Sequence, residues 1–102
     1  MKECCEKYLN GQFGNDAEVV DAIYAEYVSS INAKAAEADA ALAAGAWDAL
    51  DKVAHTIKGN ALSAGDNDMA QLGIELRQAA KLQDSSHASS LVEGIKAMVQ
   101  EL

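Results

Sequence analysis

Residues 15–45 read NDAEVVDAIYAEYVSSINAKAAEADAALAAG. Within them Val20, Ile23, Tyr27, Ile31, Ala35, Ala38 and Leu42 recur at spacings of three and four, the period of one face of an α-helix. Asn15 suits the N-cap, with Glu18 three residues on in a capping-box arrangement. Gly45 suits the C-terminal cap, because glycine takes the left-handed conformation at which helices often end. The spacing predicts a helix running to about Ala44, about 40 Å long at 1.5 Å per residue.

Working outward, residues 2 to 9 fit a short helix closed by the glycines of GQFGN. On the other side, residues 46 to 64 fit a second long helix, again closed by a glycine, Gly65. Asp66 is placed to cap a third, with Met69, Leu72, Leu76 and Ala79 or Ala80 as its inner stripe. The stretch QDSSHASS breaks that helix and offers new caps. Ala88, Leu91, Val92, Ile95, Met98, Val99 and Leu102 then mark the last one. Short connections between long helices favour antiparallel neighbours. The expected fold is all-α: an up-down antiparallel four-helix bundle with a short extra N-terminal helix, residues 1–102 forming a single domain.

Composition agrees. At 102 residues the chain is long enough for one buried core. Half of it is hydrophobic, aromatics are 5%, and there is no proline, a balance that suits helices better than sheets. A net charge of −8 speaks against nucleic acid, whose phosphates need basic patches, and against a membrane surface. No apolar run approaches the roughly 18 residues of a spanning helix. The stretch MKECCEKYLN lacks the apolar core of a secretory leader, so the expected compartment is the cytoplasm. Cys4 and Cys5 are adjacent and have no further ligands at metal spacing. They read as two thiols on the short first helix, one of them packed inward, with an intermolecular redox or metal role as the alternative.

The stretch VAHTIKGNALSAG, residues 53 to 65, carries the chemistry. At 100° per residue, Leu50, Val53, Ala54, Ile57, Ala61 and Ala64 gather on one side of the second long helix. His55 falls about 140° from the centre of that stripe, near Asp48, Gly59 and Leu62. A lone histidine is usually structural, but this one points away from the core. A solvent-facing imidazole keeps a substantial neutral fraction near pH 7, since its ordinary pKa is about 6.5. Its free nitrogen is then a nucleophile toward phosphorus. Lys58 lies about one turn along the same side, where an ammonium offsets negative charge by about 1 kcal/mol in solvent. A glycine inside a helix costs about 1 kcal/mol relative to alanine. Gly59 therefore calls for a reason, and an open approach to His55 supplies one. The plainer readings are a solvated lysine for Lys58 and a tight helix crossing for Gly59.

His55, Lys58, Gly59 and Gly65 together resemble the histidine-containing phosphotransfer (HPt) domain, whose pattern is a His, a Lys-Gly pair at the third and fourth positions and a Gly at the tenth. The run-in AGAWDALDKVAHTIKG is similar as well, and the likeness extends loosely from FGNDAEVV through the last helix. The resemblance implies a relay. A receiver domain phosphorylated on aspartate, or a hybrid or separate sensor histidine kinase, donates a phosphoryl group to His55. A response-regulator receiver then takes it. It also implies a monomeric carrier with no cofactor, the Mg²⁺ belonging to the receiver. No phosphate-cradling glycine loop is present, so no ATP site is expected in the chain.

One position departs from the pattern. In an ungapped register the third-helix residue facing the His is Arg77, followed by Gln78. Many relatives, among them the phosphorylatable domain of chemotaxis kinases, have a Gln or Glu there that accepts a hydrogen bond from the imidazole. Arginine only donates, and its expected role is to pair with the phosphoryl group, against the alternative of a solvated charge. This argues against the chemotaxis-kinase type. His87 follows a serine-rich break without a Lys-Gly partner and reads as a surface residue at a helix start. Leu62, exposed beside His55, is a candidate for partner docking. Three rivals remain: a non-catalytic helical interaction module, a dimerising phosphotransferase built from paired hairpins, and a metal-binding bundle. The last would project Glu-x-x-His motifs inward, and none occurs here.

Overall fold

The computed structural model describes residues 1–102 and contains five helices and no strand. They are α1 (Glu3–Phe13), α2 (Ala17–Ala43), α3 (Trp47–Ser63), α4 (Asn67–Leu82) and α5 (Ser85–Gln100). The all-helical expectation is met, with differences at the ends. The first helix does not stop near residue 9. It runs through Gly11, where glycine faces open space, and ends only at Gly14, which takes a left-handed φ of 64°. Asn15 is not the cap of α2. It continues the left-handed turn at φ 63°, a conformation asparagine tolerates better than most residues. Asp16 caps α2 instead, its carboxylate accepting from the Val19 amide at 3.3 Å. Asp66 caps α4 as expected, and Asp84 caps α5, accepting from the His87 amide at 3.1 Å.

Helix α2 packs on α3 and α5, and α4 packs on the same two, so the four long helices close a ring around the core. Helix α1 lies against α2. The longest dimension, 43 Å, is close to the rise of the 27-residue α2. The buried stripe of α3 is Leu50, Ala54, Ile57 and Ala61, with Ala64 beyond its end and Val53 at the margin, matching the wheel. Alanines fill much of the core on α2, α3 and α4, which lets helix axes approach closely.

A polar knot ties α1 to the α3–α4 turn. Asp66 is fully buried; it accepts from Lys2 Nζ at 2.6 Å and from the Tyr27 hydroxyl at 2.7 Å. Burial and then this carboxylate push the Tyr27 phenol well above its usual range. The same two causes push the Cys5 thiol up to about 12, so it stays protonated and packs as a small apolar group. Cys4 is half-buried, as the one-inward reading anticipates.

Candidate functional site

Helix α3 positions the site through its own period. With Ala54 and Ile57 buried, His55 is turned out to solvent one residue from the core edge. Gly59 lies one turn further on the same exposed side, and a Cβ added there would meet no atom within 4 Å. Leu62 is 48% exposed another turn along. Lys58 is half-buried at the flank.

Helix α4 supplies the opposing wall. Arg77 reaches across to His55, its Nη1 donating to the ring Nδ1 at 3.2 Å. Its Nε donates to Asp51 Oδ1 at 3.0 Å. One guanidinium thus bridges two side chains a turn apart on α3. Arg77 does face His55, as the ungapped register anticipates, and in this state it holds the ring. Lys58, Ile74, Arg77, Gln78 and Lys81 line a cleft of about 210 Å³ beside the histidine. The ion pairs in the protein involve Lys2, Lys34, Arg77 and Lys96. Lys58 and Lys81 are left without an acidic partner. In a chain with only eight lysines and arginines against sixteen acids, three cations gathered at one cleft make a local site for an anion.

Gly65 lies elsewhere than the motif suggests, His87 lies where expected, and two further residues were not anticipated. Gly65 is not at the site. Ten residues on from His55, about 15 Å of helix rise, it takes φ +74° in the turn after α3, and a Cβ there would overlap the Tyr8 side chain. His87 is exposed at the start of α5, away from any Lys-Gly pair. Gly73, in contrast, sits under the site. Its Cβ position is 2.9 Å from Lys58 N and 3.1 Å from Ala54 O. That close approach brings α4 near enough for Arg77, one turn later, to reach His55. Its sequence signal is an unexplained glycine inside a helix. Asp51, four residues before His55, carries no motif and becomes visible only through its bond to Arg77.

A family model, the Hpt domain, matches residues 22–102. The chain belongs to the Hpt domain family. No curated protein matches it, and no solved structure does. The match begins inside α2, so α1 and Lys2 lie before it, while Asp66, the partner of Lys2, lies within it. Membership of the Hpt family implies histidine phosphotransfer in phosphorelays, with receiver and kinase partners. No helix is long and apolar enough to cross a membrane.

Proposed function

We propose that the protein carries a phosphoryl group on His55 between the aspartate of one receiver domain, or a histidine kinase, and the receiver of a response regulator. The observation that carries this is the setting of His55: exposed, flanked by an open glycine, and beside a cleft of three cations in an acidic chain. Nδ1 is covered by Arg77, so Nε2 is the uncovered ring nitrogen, and it becomes the nucleophile once it has given up its proton. Lys58, on the cleft wall, offsets the charge of the transferred group, and Gly59 leaves room for the partner's active site. Leu62 belongs to the docking face. Gln78 supports the cleft wall. Mg²⁺ and most of the electrostatic catalysis come from the receiver, which makes this chain a carrier with no ATP site of its own. It works as one monomeric cytoplasmic domain. The short connections between α2, α3, α4 and α5 support an alternating up-down order of the four helices.

Incubation with a panel of phosphorylated receiver domains tests the assignment. Label should appear on this chain, and it should be acid-labile and base-stable, as a phosphoramidate is. His55→Gln should abolish it and His87→Gln should leave it intact. Label that persists in the His55 variant sinks the proposal.

A further inference from the structure

Arginine can only donate. A guanidinium N–H pointing at Nδ1 therefore requires a lone pair there, and in the neutral ring the proton then sits on Nε2. That is the nitrogen which must attack phosphorus, and with its proton in place it has no lone pair to offer. The resting geometry holds the histidine in the form that cannot react. Asp51 accounts for why Arg77 sits this way, since its carboxylate takes the Nε–H and aims Nη1 at the ring.

We propose that Asp51, acting through Arg77, holds resting His55 as the Nε2–H tautomer, and that transfer begins when Arg77 leaves Nδ1 for the incoming phosphoryl group. The gating role rests on the phosphotransfer reading above; the tautomer does not. Phosphoryl oxygens attract a guanidinium at least as well as a neutral ring nitrogen, because the bond is charge-assisted on both sides. The adjacent cleft, with Lys58 and Lys81, is where they would arrive. As Arg77 departs, the ring proton moves to Nδ1. Asp51, one turn before His55 on the same side, is then free of its own partner and accepts from Nδ1–H. The Nε2 lone pair attacks phosphorus, the N–P bond forms, and the P–O bond to the donor aspartate breaks. The carboxylate leaves with that electron pair, and the ring retains its proton on Nδ1. Asp51 is a positioning residue in the resting state and a hydrogen-bond acceptor during transfer.

The two histidines make the test internal, because the His87 ring has no hydrogen-bond partner in the structure and reports the free tautomer equilibrium. Nitrogen-15 imidazole spectra at about pH 8.5, where free imidazole is neutral, give the tautomer ratio of each ring. In the wild type the Nε2–H to Nδ1–H ratio at His55 should exceed that at His87 by about fivefold, the worth of one partly exposed charge-assisted bond. Asp51→Asn should bring it back toward the His87 value. Arg77→Gln, which offers Nδ1–H a carbonyl acceptor, should take it below that value. Because the lock and the phosphoryl partner are lost together, it should raise the acceptance rate at saturating phosphorylated receiver while also raising the receiver concentration needed for half-saturation. Equal ratios at the two wild-type rings, or no change in Arg77→Gln, overturn the proposal. Wild-type labelling with an unchanged saturating rate in Arg77→Gln overturns the gating step. Ratios that shift as expected while no receiver labels any form support the tautomer lock and sink the phosphotransfer reading instead.

Discussion

A Cβ added at Gly59 would meet no atom within 4 Å, whereas one added at Gly73 would lie 2.9 Å from the backbone nitrogen of Lys58. The two glycines stand on opposite sides of the turn of α3 that carries His55. Gly73 enters from α4 and closes that helix onto Ala54 and Lys58; Gly59 faces outward and leaves the other side bare. Each costs its helix about 1 kcal/mol of propensity relative to alanine. One recovers it through close packing that sets Arg77 against His55. The other recovers nothing from the fold, which fits the proposed approach of a partner from outside. A glycine in a helix is thus ambiguous until its surroundings are known, and here one helix pair holds both kinds.

The largest effect should come from the closed side. Gly73→Ala gains propensity but drives a methyl into backbone atoms that cannot rotate away. Overpacking of this kind costs about 1–3 kcal/mol, and after a propensity gain of about 1 kcal/mol a destabilisation of up to about 2 kcal/mol should remain. For a domain this size each kcal/mol lowers the melting temperature by about 4–8 °C. The displaced α4 should also carry Arg77 away from His55 and move the His55 tautomer ratio toward that of His87. A variant melting at or above wild type would mean that α3 and α4 do not cross as closely as 2.9 Å implies.

The long elements and the outward face of His55 were legible in the sequence because periodicity and burial agree along α2, α3 and α5. The turn at Gly14–Asn15 was not, since two consecutive left-handed residues shift the cap by one position, and the capping-box spacing of Asn15 and Glu18 pointed to the wrong one of two adjacent cap candidates. Arg77 was found through the register of a family pattern, but its bond to Asp51 depends on how two helices cross. No spacing along one chain segment encodes that crossing. Gly73 had a visible signal, and what it packs against did not. The buried Asp66 was readable as a cap, while its bonds to Lys2 and Tyr27 span 64 and 39 residues of sequence.

On the open side, Gly59→Gln separates access from stability. Glutamine has good helix propensity, and its Cβ at position 59 would meet no atom within 4 Å. The variant should melt no lower than wild type. Its long side chain, one turn from His55, should obstruct the receiver and slow phosphoryl acceptance on the order of tenfold, equivalent to about 1.4 kcal/mol of lost docking. A melting temperature far below wild type would show that Gly59 serves internal packing after all, and the contrast with Gly73 would collapse.

The smallest expected effect is also the cleanest comparison, because it repeats the Gly73 substitution on the other side of the same turn. Gly59→Ala adds one methyl group where no atom lies within 4 Å. Nothing opposes the propensity gain, so the domain should become more stable by up to about 1 kcal/mol. A methyl group is too small to keep a receiver from His55, and transfer should change little. Thermal melts of Gly59→Ala and Gly73→Ala measured side by side should therefore move in opposite directions from wild type. If both rise, the α3–α4 crossing is looser than described. If both fall, Gly59 makes a contact that an isolated chain does not reveal, such as one with a second copy, and sedimentation of the wild type would then show an oligomer in place of the monomer proposed here.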